Sequence, residues 1–407
     1  MPELQQVTKC VWQFHDKKDE LTDVFDYFRF CTNEAIRIGD ENNLTSRNSL
    51  HHELYKTLRN DSNFYAKYVY GSLSVAKARL KLYRTTKKKK PNATRPYVKR
   101  DMITLDNQSF KIINGYLRFP IRAKQYLFVK LASYVLEKLE HTKLGSITIT
   151  PEKLIISYSK EILLKEPKHY QGIDRNLNNA TSYDSTGKFT IYNLKKSNDI
   201  KQKYMEIKSH LKRNDVRIRK KLFSKYGKKE KNKVHQLLHN VSKKIVSQNQ
   251  RIILEDIKGI RKLYKKGNSQ GKKFRGKMNT WSYYELQRQI EYKAKWNGLP
   301  VKYVKAYGTS SKCAACGVKL IFEEHRMMKC TKCNITIDRD INASKNILAR
   351  GLRFDPHAPQ VEAMKQFKDA ESIVASQKMT ESASQQKDKL IVGVPVTWQN
   401  HDLSRSH

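Results

Sequence analysis

Four cysteines in the last third of the sequence have the spacing C-x2-C-x13-C-x2-C. They are Cys313, Cys316, Cys330 and Cys333. Each C-x2-C pair can place two thiolates on one ion from a tight turn, and two such pairs complete a tetrahedral Zn²⁺ site. A redox dithiol would need only one pair. Because protein ligands fill all four positions, we predict one structural Zn²⁺ that holds the fold and activates no water.

Acidic residues form the second group that could carry chemistry. Asp174 lies in QGIDRN, Glu255 lies in IILEDI, and Asp338 and Asp340 both lie in TIDRDIN. A single acid at the end of a strand more often caps a helix or pairs with a lysine. Acids that converge could instead hold two Mg²⁺ ions, which activate a water and stabilise the leaving oxygen of a phosphodiester. Oxygen ligands suit Mg²⁺ and thiolates suit Zn²⁺, so the two kinds of metal site need not compete.

The periodicity of a helix distinguishes the two neighbouring aspartates. At about 100° per residue, Ile347 lies on the same side as Asp340, which places Asp340 on the face that packs against a sheet. Asp338 would project with Asn342 and Lys345, away from the sheet, or would cap the helix if residue 338 is still extended. We therefore assign the third catalytic carboxylate to Asp340 and a local role to Asp338.

The predicted elements around these acids follow the order of an RNase H-like fold. A strand with a central Asp is followed by a hairpin (ATSYDS and FTIYNL), a basic helical region from 196 to 247, and the strand RIILED, which ends in acids. Residues 258 to 278 are predicted to form a glycine- and lysine-rich loop. A helix, the strand LPVKYVKA, the cysteine cluster and a last helix complete the module.

The sequence before residue 168 predicts a different organisation. VTKCVWQF is a candidate strand, and residues 15 to 85 have the periodicity of helices, with Cys31 on a buried face. TTKKKKPNATRPYVKR has two prolines and no periodicity, which indicates a linker. Segments from DMITLDN to KLIISYS alternate apolar and polar residues, with one helical segment, YLFVKLASYVLEKLEH, among them. This part is predicted to be a small β domain.

The net charge points to a polyanionic partner. The chain has 81 Lys and Arg against 39 Asp and Glu, a formal charge of +42, and its 22 tyrosines are suited to stacking on bases. A solvated basic face explains one run such as KKKK, but not an excess of this size. No apolar run approaches the roughly 20 residues that span a membrane, and no secretory signal is visible. The cysteine pattern indicates a reduced compartment, so we expect a cytoplasmic protein that binds nucleic acid.

Five blocks together resemble the TnpB family, the RNA-guided nucleases encoded by insertion sequences and regarded as ancestors of the type V CRISPR effectors. The blocks are GIDRNLNNA, RIILEDIKGI, TSSKCAACG, CTKC and DRDINASKNILAR, within roughly residues 168 to 350. The resemblance implies that the RuvC-type nuclease triad falls on Asp174, Glu255 and Asp340. Many members read GIDxG in the first block, whereas this chain has Arg175 and Asn176, a departure that leaves the carboxylate in place.

The resemblance also implies a multidomain α/β protein, in which a RuvC (RNase H-like) nuclease domain with an inserted zinc ribbon follows a wedge-like β-barrel interrupted by a helical recognition domain. The expected boundaries are 1–14 for the first barrel strand, 15–90 for the recognition domain, 91–167 for the rest of the barrel, 168–353 for the nuclease domain, 309–336 for the ribbon and 354–407 for a disordered tail.

These expectations describe an RNA-guided, Mg²⁺-dependent DNA endonuclease that cleaves double-stranded DNA beside a short target-adjacent motif. Its guide RNA would derive from a transposon end and be held by charge and shape, and the protein would act as a monomer in the ribonucleoprotein. The residues expected to contact nucleic acid are Tyr70, Ser74 and Lys77, which would read the motif, and Lys87, Lys88, Arg217 and Arg219.

Three alternatives share part of the pattern. A guide-RNA-dependent repressor that has lost cleavage would lack at least one triad acid, and all three are present. A transposase of the same superfamily would usually end its triad in Glu and lack the zinc ribbon. A miniature type V CRISPR effector differs more in genomic context than in chemistry, so the sequence leaves that alternative open.

Overall fold

The computed structural model describes residues 4–353, apart from 61, 212–214, 258, 261–263, 266 and 268. The predicted tail at 354–407 lies outside the described residues. Backbone contacts divide the chain into two units, Met1–Leu163 and Leu164–His407.

The first unit combines a helical block with two antiparallel sheets. In chain order its elements are β1 (Leu4–Phe14), α1 (Thr22–Glu41), α2 (Arg47–Asn60), α3 (Lys67–Lys87), β2 (Ile103–Leu105), β3 (Lys111–Ile113), β4 (Tyr116–Arg122), β5 (Gln125–Lys130), α4 (Ser133–Leu139), β6 (Lys143–Ile149) and β7 (Lys153–Leu163). One sheet has the order β1-β7-β6-β2 and the other the order β3-β4-β5. Strand β1 pairs with β7 along its whole length, from Leu4 opposite Leu163 to Phe14 opposite Lys153. The helical block α1–α3 is therefore an insertion between two paired strands.

One helix prediction in this unit is wrong in its first half. Of the segment YLFVKLASYVLEKLEH, residues up to Lys130 belong to β5, and only Ser133–Leu139 form a helix. Leu127 and Val129 are buried while Tyr126 and Phe128 are exposed. This alternation has the period of a strand, which the apolar run had obscured.

The helical block has the core that the periodicity predicted. Val24, Phe28, Cys31 and Ala35 lie on one buried face of α1, and burial raises the pKa of the Cys31 thiol to about 11. Cys31 is thus a core residue, as predicted. Cys10, in contrast, is exposed.

The second unit is built on a mixed sheet. Its elements are β8 (Tyr170–Arg175), β9 (Asn179–Asp184), β10 (Phe189–Asn193), α5 (Lys195–Ser209), α6 (Val216–Val246), β11 (Arg251–Asp256), α7 (Lys272–Thr280), α8 (Tyr283–Trp296), β12 (Lys302–Lys305), β13 (Ile321–Phe322), β14 (Met327–Cys330), β15 (Ile335–Asp338) and α9 (Arg339–Arg353). The sheet order is β10-β9-β8-β11-β12. Strands β8, β9 and β10 are antiparallel neighbours, whereas β11 runs parallel to β8 and β12. This is the layout that the sequence predicted.

The predicted loop at 258 to 278 is wrong at its end, because α7 begins at Lys272. Its only large apolar residues are Phe274 and Met278, too few for a helical periodicity to be read from the sequence, and none of its residues is buried. Its Lys, Arg and Met residues nevertheless have good helix propensity.

Helices cover both faces of the sheet. Within β11, Ile252 and Leu254 pack in the core formed with α6 and α8, while Ile253 between them packs in the core formed with α9. A strand buried on both faces reads as a continuous apolar run, which explains the sequence RIIL. Among the described residues, no helix is long and apolar enough to cross a membrane.

Helix α9 lies unusually close to the sheet because of two glycines. A Cβ placed on Gly172 of β8 would lie 2.4 Å from the backbone nitrogen of Leu348 and 2.4 Å from the carbonyl oxygen of Ser344. A Cβ on Gly351 of α9 would lie 2.1 Å from Cδ1 of Ile253. The helix and the sheet are therefore in backbone contact, two residues from Asp174.

We predict that Gly172→Ala destabilises the second unit by about 1–3 kcal/mol or more, because the neighbouring atoms belong to backbone that cannot move aside. Gly227→Ala is the matched control: it lies within α6 with nothing within 4 Å of the added Cβ, and it should stabilise the helix by about 0.5–1 kcal/mol. Thermal unfolding of the two variants checks this. Equal unfolding temperatures of the two variants would show that α9 can shift away from β8 to accommodate the added methyl group at no cost in stability.

Candidate active site

Three buried carboxylates meet at one edge of the mixed sheet. Asp174 and Glu255 are the penultimate residues of β8 and β11, which are parallel neighbours, so both lie at the carboxyl ends of their strands. Asp340 is the second residue of α9. Their exposed fractions are 8%, 9% and 3%. The structure thus brings all three predicted acids into one buried group.

The electrostatics of this group reflect burial and mutual repulsion. Burial, followed by the charges of Glu255 and Asp340, raises the pKa of Asp174 to about 7. Burial also raises the pKa of Glu255, against hydrogen bonding by Thr309 and the charge of Arg175. The shift of Asp174 shows that gathering these negative charges is unfavourable in the protein alone, and the shift of Glu255 shows that burying its charge is unfavourable. A bound cation would remove that cost.

Each carboxylate is oriented by a neighbouring donor. Asn176 Nδ2 donates to Asp174 Oδ2 at 2.8 Å, and Asn179 Nδ2 donates to Asp340 Oδ2 at 3.2 Å. The hydroxyl of Thr309 donates to Glu255 Oε1. These contacts fix one oxygen of Asp174 and of Glu255, whereas Asp340 is held at both oxygens, since Arg326 pairs with its Oδ1. Each carboxylate oxygen has two lone pairs, so further ligands can still bind.

The two neighbouring aspartates differ as the sequence predicted. Asp338 Oδ1 accepts hydrogen bonds from the backbone N–H groups of Asp340 at 2.8 Å and Ile341 at 3.1 Å, which is the geometry of an N-cap. Asp340 instead points into the carboxylate group, where Asn179 reaches it.

One premise of that prediction is wrong for Lys345, which does not point away from the sheet: its Nζ lies 5.0 Å from the ring centroid of Tyr183 in β9. Asn342 and Lys345 are both buried. Asn342 Nδ2 donates to the Lys312 carbonyl at 2.8 Å, and its Oδ1 accepts from the backbone N–H of Ala314 at 3.0 Å. The segment at the base of the cysteine cluster covers that side of α9, which periodicity alone could not show.

Sequence reasoning missed three residues that contact the site. Arg175 is 2% exposed and donates to the Glu255 carbonyl at 2.5 Å and to Gln287 Oε1 at 2.6 Å. Thr309 reaches Glu255, and Arg326 forms an ion pair with Asp340. One signal for Arg175 was present in the sequence, because this chain reads GIDRN where many TnpB-like sequences read GIDxG. Thr309 and Arg326 lie far from the acids in sequence, so only the tertiary fold reveals their contacts.

The four cysteines form a closed metal site. Their Sγ atoms all lie within 4.8 Å of one another, with 4.0 Å between Cys313 and Cys333 and 3.4 Å between Cys316 and Cys330. Tetrahedral Zn²⁺ with Zn–S distances of about 2.3 Å needs sulfur atoms about 3.8 Å apart, so the arrangement fits zinc. In the described part of the chain, it is the only group of three or more Cys, His, Asp or Glu that could hold an ion in this way. The three carboxylates therefore do not converge on a single ion as closely as the thiolates do.

The cysteine cluster is joined directly to the carboxylates. Strand β15 runs into α9 without a loop, and Asp338 ends β15 and caps α9. Arg326, just before β14, reaches back to Asp340. A metal held by the cysteines would thus hold the start of α9, and with it Asp340, in position.

The residues predicted to contact nucleic acid lie on, or directly after, helices that carry neither the carboxylates nor the cysteine cluster. In the first unit, the Tyr70 ring packs 4.8 Å from the His51 ring and 5.4 Å from the Tyr55 ring, and Ser74 Oγ donates to the Tyr70 carbonyl at 3.0 Å. Tyr70 is therefore partly occupied in packing. All the others in this set are exposed: Ser74, Lys77, Lys87 and Lys88 in the first unit, and Arg217 and Arg219 on α6 in the second.

Known proteins resemble this chain in sequence and in fold. Residues 283–347 match the family model "Cas12f1-like, TNB domain", and residues 24–119 match the "Uncharacterized protein MJ0013 family". The chain is 35% identical over 221 residues to the TnpB-like protein MJ0751 of Methanocaldococcus jannaschii, which covers 51% of this chain and 78% of that relative. It is 33% identical over 100 residues to the CRISPR-associated endodeoxyribonuclease Cas12f1 of Sulfoacidibacillus thermotolerans, covering 24% of this chain and 21% of that protein.

Among solved structures, the fold matches a chain in the cryo-EM structure of a Cas12f1–sgRNA–target DNA complex. The TM-score is 0.51 at 14% sequence identity, and the match covers 81% of this chain and 82% of the other. At this identity the match shows a shared fold.

We predict that Cys330→Ser lowers the zinc content by about one ion per chain and lowers the unfolding temperature, because a structural Zn²⁺ contributes folding free energy directly. Cys10→Ser is the control, since Cys10 is exposed and lies outside the cluster. Metal analysis together with thermal unfolding measures both effects. An unchanged zinc content in Cys330→Ser would refute the site.

A second prediction concerns pH in a chelator-treated protein. The pKa of Asp174 rises from 3.8 to about 7 on folding, so its ionisation destabilises the folded state as the pH rises through this interval and not below it. Asp174→Asn, which stays neutral, should therefore unfold several degrees higher than the natural protein at pH 8 and at nearly the same temperature at pH 4.

The control for this comparison is Glu161→Gln, which replaces an exposed carboxylate and should shift neither midpoint. Saturating Mg²⁺ should stabilise the natural protein more than Asp174→Asn. If the difference in unfolding temperature between the natural protein and Asp174→Asn does not depend on pH, the pKa of Asp174 is not raised in the folded state.

Proposed function

Because this chain belongs to the TnpB family, we propose that it is an RNA-guided DNA endonuclease of an insertion sequence, which cleaves target DNA by phosphodiester hydrolysis. The observation that carries the proposal is the buried group of Asp174, Glu255 and Asp340 at one edge of an RNase H-like sheet. The formal charge of +42 supports the nucleic-acid partners, a guide RNA and double-stranded DNA.

The three acids would hold two Mg²⁺ ions. Bound Mg²⁺ supplies Lewis acidity, which activates a water and stabilises the leaving oxygen of the phosphodiester. The chain's own residues prepare the ligands: Asn176 and Asn179 orient Asp174 and Asp340, and Thr309 orients Glu255. Because the Asp174 carboxyl has a raised pKa, cation binding would release its proton.

Arg326 brings a positive charge to the same group. Its side chain pairs with Asp340 but remains 53% exposed. In the presence of cations on the carboxylates, the guanidinium would be available to a backbone phosphate, which it can bind through two parallel hydrogen bonds. The cysteine cluster would contribute only through structure, by holding β14 and β15 and therefore Arg326 and Asp340.

We assign the domain roles by the same family relationship. The recognition domain would comprise residues 15–90, and the wedge-like β-barrel would comprise 1–14 and 91–167. The pairing of β1 with β7 around the inserted helices supports this division. Lys77, Lys87, Lys88, Arg217 and Arg219, all exposed, would contact nucleic-acid backbone, and Ser74 would lie beside the target-adjacent motif. Sequence recognition beyond that motif would rest on base pairing by the guide.

We predict that Asp340→Asn lowers double-strand cleavage by at least about a hundredfold, because each metal contributes several kcal/mol to the transition state. Guide-dependent DNA binding should stay within a few fold of that of the natural protein. Cleavage of a labelled plasmid and a gel-shift assay, both with the reconstituted ribonucleoprotein, measure the two effects.

Asp338→Asn is the matched control for this experiment. Asn is as good an N-cap as Asp, so this variant should cleave at nearly the natural rate. Full cleavage by Asp340→Asn, or a complete loss in Asp338→Asn, would overturn the assignment of the triad.

A further inference from the structure

A cavity of about 270 Å³ opens in the second unit between α5, α6 and the start of α8. Its walls combine aromatic rings, two lysines, two carboxylates and a serine. It is separate from the carboxylate group and from the cysteine cluster, whose residues do not line it. We propose that this cavity binds one unpaired nucleotide of the guide RNA. The inference rests on the proposed function, since it supposes that the chain carries such an RNA.

Aromatic side chains form the wall on which a base would stack. The rings of Trp281 and Tyr283 have centroids 4.9 Å apart at an interplanar angle of 50°. Tyr284 lies beside them and is 64% exposed, although large aromatic side chains usually find a packing partner. An exposed aromatic at the opening of an aromatic-lined cavity is a suitable platform for a nucleobase.

The cavity contains a polar atom that needs a partner. Ser282 Oγ is buried and has no hydrogen-bond partner among the described residues. Ser282 is the residue before α8, but its hydroxyl oxygen accepts no hydrogen bond from the first backbone N–H groups of that helix. A buried hydroxyl without a partner costs about 1–3 kcal/mol. A base edge or a ribose hydroxyl in the cavity would satisfy it.

The charges in the wall determine which part of a nucleotide can enter. Glu230 and Glu285 both line the cavity. Burial opposes the ionisation of Glu285, but hydrogen bonds from Arg288 and Gln289 outweigh it and lower its pKa to about 2, so this group is charged. Glu285 is paired with Arg288, and Glu230 is paired with Lys208 through Oε2. A carboxylate oxygen repels a phosphate but accepts from an exocyclic amino group, and Glu230 Oε1 is the oxygen best placed to do so. The base should therefore enter the cavity, and adenine should bind better than uracil, which has no amino group.

Lysines stand where the flanking phosphates would lie. Lys201 lines the cavity from α5, and its Nζ donates to the Thr280 carbonyl at 2.6 Å. Lys231 lines it from α6 and is exposed. Both charges lie on helices that are strongly basic throughout. An RNA strand could thus cross the opening with its phosphates outside and one base inserted.

The number of acceptors favours RNA over DNA. Glu285 already accepts from Arg288 and Gln289, and Glu230 Oε2 accepts from Lys208. Glu230 Oε1, the Asn279 amide oxygen and the Ser282 hydroxyl, all in the wall of the cavity, still offer more acceptor sites than one base edge can use. The 2′-hydroxyl of RNA supplies the additional donor that deoxyribose lacks.

The test is a binding measurement on the full-length chain, freed of nucleic acid by nuclease and high salt. Fluorescence anisotropy with labelled RNA pentamers UUAUU and UUUUU and the DNA pentamer TTATT, in about 0.5 M KCl, suppresses the contribution of phosphates. We expect UUAUU to bind more tightly than the other two pentamers. Tyr284→Ala should weaken UUAUU binding about tenfold, the loss that stacking of one base implies.

Tyr307→Ala is the matched control, since Tyr307 is 87% exposed and does not line the cavity; it should change affinity less than twofold. Unchanged affinity in Tyr284→Ala, equal losses in both variants, or tighter binding of TTATT would each overturn the assignment. The assay needs neither guide nor cleavage. If the natural ribonucleoprotein cleaves DNA but Tyr284→Ala binds UUAUU with unchanged affinity, the cavity is not a nucleotide site, and the proposed function still holds.

Discussion

The burial of three carboxylates in one group, with the repulsion that Asp174 feels from its two neighbours, is the constraint around which the second unit is organised. Burial and the charges of Glu255 and Asp340 raise the pKa of Asp174 to about 7, so ionising this group in the folded protein is unfavourable. The packing of α9 against β8, in backbone contact at Gly172, and the cores on both faces of the sheet supply the free energy that opposes this repulsion. The protein alone therefore holds Asp174 in a state that a divalent cation would relieve.

The ribbon-like cysteine cluster stabilises this arrangement from the side opposite to the sheet. Asn342 and Asn346 of α9 both donate to the Lys312 carbonyl, at 2.8 and 2.7 Å, next to Cys313. The helix is thus held by backbone packing on one side and by amide hydrogen bonds on the other. Thiolates and carboxylates select different ions, so the two groups of ligands would not compete for one metal, yet both are connected to the same helix.

Much of the second unit could be predicted from the sequence because its signals are local. The cysteine spacing, the acid at the end of RIILED and the N-cap at Asp338 each depend on residues within a few positions. The errors arose where tertiary contacts decide: Lys345 packed on the ring of Tyr183, a strand at Gln125–Lys130 and a helix without buried residues at Lys272–Thr280. Thr309 and Arg326 belong to the same class, because no local pattern relates them to Glu255 or Asp340.

The spacing of the three acids along the chain has a consequence for biosynthesis. Asp174 and Asp340 are 166 residues apart, and the last helix must leave the ribosome before the sheet can gain its cover on that face. Synthesis proceeds at about 5–20 residues per second. For several seconds or longer, the nascent chain therefore contains Asp174 and Glu255 but not yet Asp340. Until α9 has emerged, a partly synthesised chain therefore lacks one of the three carboxylates and the helix that covers this face of the sheet.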